Sequence, residues 1–288
     1  MNKAVTFFSK IHIHPLLWLV IGISVATGYF FDLIMVLCII AIHEMGHLFT
    51  ALFFSWRIRK VSLLPFGGVA EMDEHGNRPL HEELLVVIAG PIQHVWMMGL
   101  AALLNSFHIV PKVFYDDFLM YNWMILCFNL LPIWPLDGGK LILLILSRVK
   151  TFLSAMQWTV VSSFFLLVCL HAMVLIWAPF QLHLWIVLSF LYFSLWQEWK
   201  QRHYVMMRFL LERYYGNRRG IHQLKPITVS SDTALSTVLM QFQRGVKHPI
   251  IVVENGEEKG KLDENEVLHA YFSEKQTTVK IGDLLYYY

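Results

Sequence analysis

Charge is what this sequence has least of. Only 15% of its 288 residues are Asp, Glu, Lys or Arg, against about 25% in a soluble domain. Hydrophobic residues make up 56%, and the mean hydropathy is +0.51. That balance excludes a soluble globular chain and implies a polytopic α-helical membrane protein. A net charge of +2 is too small to attract nucleic acid, so the basic residues read as topology signals. Cysteine is scarce as well. Cys38, Cys127 and Cys169 lie far apart in apolar runs, with no C-x-x-C spacing. A disulfide framework and a thiolate metal site are excluded, and buried thiols are expected.

What is present is an ionisable cluster inside an apolar run. Leu33 to Phe54 reads LIMVLCIIAIHEMGHLFTALFF, long enough to cross a bilayer, which needs about 20 apolar residues. It carries His43, Glu44 and His47 at a depth where ionisable groups are costly and mark functional sites. Residues four apart share a helical face, so His43 and His47 can aim ring nitrogens at one metal ion. Glu44 sits next to them, where a general base is needed. Buried histidines bonded to neighbouring helices would leave the carboxylate of Glu44 unexplained.

H-E-x-x-H within a membrane helix resembles the site-2 protease family of intramembrane zinc metalloproteases. That family's second signature is an Asn-Pro-Asp-Gly-like stretch, and Asn129 to Gly139 reads NLLPIWPLDGG. The resemblance implies Zn2+ held by His43, His47 and Asp137, with Glu44 catalytic. Pro132 and Pro135 break a span just before Asp137, as expected of a helix lining a site. Asn129, about two turns earlier, can hydrogen-bond the scissile carbonyl or its oxyanion. Val61 to Met72 is too short and too Gly/Pro-interrupted to span. The family has a hairpin there, which implies an edge strand holding unwound substrate at Phe66, Gly67 and Gly68. Ala89-Gly90-Pro91 loosens a third span. Where the family tends to have Asn, this chain has Gln93-His94; His94 reads as a hydrogen-bonded core residue or an extra ligand.

The apolar runs give about six spans. Pro15 to Phe31 is read as a retained first span rather than a cleaved signal. The others are the motif helix, Leu84 to Phe107, Phe118 to Pro135, Phe152 to Trp177 and Leu182 to Trp196. A cytoplasmic N-terminus puts Lys3, Lys10, Arg57, Arg59, Lys60, Arg78, Arg148 and Lys150 inside and leaves Lys112 outside. His43, His47 and Asp137 then fall together in the cytoplasmic half of the bilayer. The expected organisation is a metalloprotease domain over 1–198, a basic linker over 199–222 and a cytosolic α/β domain over 223–288.

That last segment has strands around Ile227–Val229 and Ile250–Val253. Helices are expected over Asp232–Gln243, opened by a capping residue, and over Glu264–Phe272. The order resembles a single CBS domain, a module that pairs with a second copy and often binds adenine nucleotides. ATP, with Glu266 on the ribose hydroxyls, is therefore an open expectation, weakened by Asp263 where a hydroxyl is usual. A lone module also implies a homo-oligomer. A compact core without a PDZ-sized insertion resembles the sporulation branch of the family. That branch removes a sigma-factor pro-sequence, sits in the outer forespore membrane and is restrained by membrane-bound inhibitors. Rival readings are a site-2 protease for another membrane-tethered regulator, such as an anti-sigma factor, and a CBS-regulated metal transporter. The transporter is disfavoured because no second half-site repeats the His-Glu motif.

Overall fold

The structure, a computed structural model, describes residues 11–13, 15–56, 58–64, 67–72, 78–216 and 223–285. The chain divides into two compact units, with the division inside the loop and helix after Leu131.

In the first unit, helix α1 spans Pro15–Thr27, opened by proline, whose missing N–H costs nothing there. It ends at Gly28, whose φ of +81° favours glycine. The expected first span therefore stops short, and Phe30 and Phe31 begin the next helix. Helix α2, Phe30–Phe53, is the motif helix. Strands β2 (Ile58–Leu64) and β3 (Gly67–Met72) form the expected hairpin, antiparallel with Leu63 opposite Gly68 and Leu64 opposite Gly67. A strand that sequence reasoning did not anticipate, β1 (Ile11–Ile13), adds in parallel to β2. Strand β3 lies beside α2. Helix α3, Leu80–Ser106, runs through Pro91 without a break. Helix α4 covers Lys112–Asn129, and after a loop α5 runs Asp137–Val149.

The second unit takes in the later part of α5, then α6 (Phe152–Trp177) and α7 (Leu182–Tyr215). Helices α6 and α7 pack on each other, as a short connection dictates. Thr151 caps α6 by accepting from the Ser154 N–H. Helix α7 continues unbroken past the boundary expected at 198, so most of the basic segment is its last turns. Those turns bury Met206, Phe209 and Leu210 in one core with Phe152 and the C-terminal strands.

The C-terminal segment is a small α/β arrangement. Strand β5 (Ile227–Ser230) pairs in parallel with β7 (Ile250–Glu254), and β7 pairs antiparallel with β8 (Glu257–Leu262). Asn255 and Gly256 make the turn with positive φ. A second pair joins β4 (Gln223–Leu224) to β6 (Val246–Lys247). Helix α8 is shorter than expected, Leu235–Leu239, and it follows Ala234; Asp232 instead pairs with Lys280 at 2.6 Å. Helices α9 (Glu264–Phe272) and α10 (Ile281–Leu284) complete it.

The segment is clamped to α7 by a buried ion pair. Arg213 Nε donates to Glu264 Oε1 at 2.5 Å and Arg213 Nη1 to Gln243 O at 3.0 Å. Arg213 Nη2 donates to Val246 O and to Glu264 Oε2, and the His248 N–H also reaches Oε2.

Among the described residues, α2, α3 and α6 are long and apolar enough to cross a membrane. Helix α1 is apolar but short, α4 carries Lys112, Asp116 and Asp117, and α7 is diluted by aromatic and polar residues. Large apolar side chains such as Phe53, Phe165 and Trp177 face outward, as they do where lipid is the solvent.

Candidate metal centre

Helix geometry places His43 and His47 one turn apart on α2, and glycine lets the neighbouring backbone reach them. A Cβ on Gly46 would lie 2.6 Å from Ala89 O, and one on Gly90 would lie 2.3 Å from His47 Nε2. Close crossing of α2 and α3 therefore requires glycine at both positions. The third contributor comes from the start of α5. There a Cβ on Gly138 would lie 2.3 Å from both Leu130 O and Leu131 O, so the loop folds tightly back on the end of α4. This delivers Asp137 at a helix N-terminus, where the dipole favours a carboxylate.

The result is a triangle. His43 Nε2 lies 3.0 Å from His47 Nε2, and Asp137 Oδ2 lies 3.1 Å from each. All three residues are buried, at 3%, 6% and 3% exposure. Protonation follows from their other contacts. His47 Nδ1 is 2.7 Å from Val86 O; a carbonyl can only accept, so Nδ1 carries the proton and Nε2 presents a lone pair. Asp137 Oδ1 takes Lys140 Nζ at 3.0 Å, whereas Oδ2 is buried with no hydrogen-bond donor. The lone pairs of His47 Nε2 and Asp137 Oδ2 thus meet at one buried point beside His43 Nε2, an arrangement that a cation would stabilise. Tetrahedral zinc with bonds of about 2.0–2.1 Å holds its ligands about 3.3 Å apart. The triangle fits that spacing, and a nitrogen–nitrogen–oxygen set suits zinc. His43, His47 and Asp137 form the metal-capable cluster found among the described residues.

The other expected residues are distributed differently. Glu44 is half-buried, directly after His43. Asn129 ends α4, with Nδ2 donating to Ile125 O at 3.1 Å, and is not a member of the triangle. Gly67 and Gly68 open β3, and Phe66 lies outside the described residues. Glu266 belongs to the second unit, where its Oε2 accepts from the Asp263 N–H at 2.7 Å and closes a capping box on α9. His94 is not a member of the triangle: its Nε2 meets His43 at Nδ1, on the ring edge away from it. Sequence reasoning missed Gly46, Asn122 and Lys140. Gly46 was visible inside the motif itself, and Lys140 follows Asp137 by one helical turn.

Comparisons with known proteins agree with this geometry. The profile of Peptidase family M50 matches residues 31–115. Stage IV sporulation protein FB of Bacillus subtilis is 46% identical over 99% of both chains. A zinc metalloprotease of Methanocaldococcus jannaschii is 31% identical over 54% of this chain and 49% of its own. Among solved structures, the site-2 protease from Methanocaldococcus jannaschii matches with a TM-score of 0.53 at 30% identity. That match covers 65% of this chain and 89% of the other. The chain carrying this buried His-His-Asp triangle belongs to the site-2 protease family, peptidase family M50, of intramembrane zinc metalloproteases.

Proposed function

We propose that this protease removes the pro-sequence of a membrane-associated sigma-factor precursor during sporulation, cutting near the cytoplasmic side of the membrane. The observation that carries the peptidase chemistry is the convergence of His43 Nε2, His47 Nε2 and Asp137 Oδ2 on one buried point, with Glu44 beside it. Similarity over the full length to a protein named for sporulation, at 46% identity, supports the physiological setting; the outer forespore membrane and membrane-bound inhibitors complete the same reading.

Zinc held by His43, His47 and Asp137 would supply Lewis acidity for peptide hydrolysis. The residues do the rest. Lys140 and the start of α5 hold the Asp137 carboxylate with Oδ2 turned to the histidines. Glu44 accepts a proton from the attacking water and returns it to the leaving nitrogen. An Asn amide has two protons; Ile125 O takes one from Asn129, and the other serves the developing oxyanion. The sheet order β1-β2-β3 pairs β3 on one side only among the described strands. Its other edge, at Gly67 and Gly68 and with Phe66 adjoining, suits an unwound substrate added as a strand. The membrane part has about six spans with both termini cytoplasmic, as the distribution of Lys and Arg favours. The C-terminal α/β segment is CBS-like, and its pairing between chains would make a homo-oligomer. The proposal does not extend to ATP, since one oxygen of Glu266 is already committed to a helix cap.

The test is co-expression of this chain with the precursor in bacteria. A shortened precursor that requires the intact protease is expected. An uncut precursor beside a zinc-loaded, folded protease would assign the enzyme to another membrane-tethered substrate.

A further inference from the structure

Behind the metal triangle lies a second row of buried polar groups that the reaction as described does not use. His94 and Asn122 are both 0% exposed. His94 Nε2 lies 3.1 Å from His43 Nδ1, His94 Nδ1 lies 3.0 Å from Asn122 Oδ1, and Asn122 Nδ2 donates to Phe118 O at 3.0 Å. Taken from the far end, every proton in this row has one place to be. The Phe118 carbonyl only accepts, so the amide group of Asn122 faces it and Oδ1 faces His94. Oδ1 also only accepts, so His94 carries its proton on Nδ1 and presents a lone pair at Nε2. His43 must then donate from Nδ1, which leaves its Nε2 unprotonated at the triangle.

We propose that His94 and Asn122 are positioning residues that fix the tautomer and ring orientation of the metal ligand His43. The two histidine ligands are thus oriented by different means. His47 is held by a main-chain carbonyl, Val86 O, whereas His43 depends on two side chains that end on the α4 main chain. Partners of this kind change metal affinity about 10–100-fold when removed. A ring without its acceptor can rotate, or move its proton to the nitrogen the metal needs. The inference rests on the zinc reading given above.

The experiment uses the full-length chain purified in detergent. Apparent zinc affinity by chelator competition, and the absorption bands of the Co2+-substituted protein, are compared for wild type, His94→Leu and His94→Gln. Gln can place its Oε1 where His94 Nε2 accepts; Leu cannot. His94→Leu should bind zinc about 10–100-fold more weakly and shift the Co2+ bands, with His94→Gln restoring both toward wild type. A general loss of packing would not be rescued by Gln. Asn122→Ala, a milder change that keeps His94, should weaken zinc in the same direction. Wild-type affinity and unshifted bands in folded His94→Leu or Asn122→Ala would overturn the inference while leaving the zinc site intact. A wild-type protein that takes up no zinc would overturn both.

Discussion

At the scale of the residue, the centre depends on atoms that are missing as much as on those present. Gly90 has no side chain because the imidazoles of His47 and His43 occupy that space, the nearest atom lying 2.3 Å from where a Cβ would be. Neither ring can retreat, since each is tied through Nδ1 to a buried acceptor. Gly90→Ala is therefore expected to push the rings off their common point. Overpacking of this kind costs about 1–3 kcal/mol, and zinc retention and cleavage should fall with it. Thermal unfolding and zinc content of the purified variant check this; an alanine variant with full zinc and unchanged activity would show that α3 can move aside. Asp137 divides its labour between oxygens. Oδ1 is held by Lys140 and Oδ2 faces His43 and His47, so the carboxylate arrives already turned.

At the scale of the element, Arg213 at the end of α7 shows how a helix is joined to the strands that follow it. Its guanidinium satisfies Glu264 and two main-chain carbonyls, all away from water. Removing one partner of a buried pair costs about 3–5 kcal/mol because a charge is left uncompensated. Arg213→Leu should loosen the C-terminal segment by about that amount, and Arg213→Leu with Glu264→Leu by less. Amide exchange at Ile250–Glu254 reads both. Equal protection in the single variant and wild type would show that the pair carries no load. This junction was not legible in the sequence, where Arg213 is one of several arginines among aromatic residues and Glu264 lies far along the chain. The motif helix and α6 were legible because long apolar runs act locally, whereas the hairpin between Ile58 and Met72 followed from the family resemblance. The early end of α1, the strand β1 and the shortened α8 were not. Each is decided by partners distant in sequence or, at Gly28, by a left-handed turn that hydropathy does not register. Likewise His43, His47 and Asp137 could be named from spacing and family resemblance. The His94–Asn122 row could not, since nothing in the chain marks two polar residues 28 positions apart as partners.

At the scale of the whole molecule, the first unit of an apolar chain holds a buried polar centre built on His43, His47 and Asp137. Scarcity of charge makes the ionisable residues that remain inside the apolar segments informative. Full-length similarity to a sporulation protein and a structural match to a site-2 protease agree with the chemistry read from those residues. The central claim is that His43, His47 and Asp137 hold zinc while Glu44 moves protons without being a ligand. Zinc content and precursor cleavage should therefore be measured together on the Glu44→Gln protein. Removing a general base lowers the rate about 10²–10⁴-fold, so that variant should keep a full complement of zinc yet show cleavage reduced by that factor. Loss of zinc from Glu44→Gln, or cleavage at the wild-type rate, would contradict the assignment.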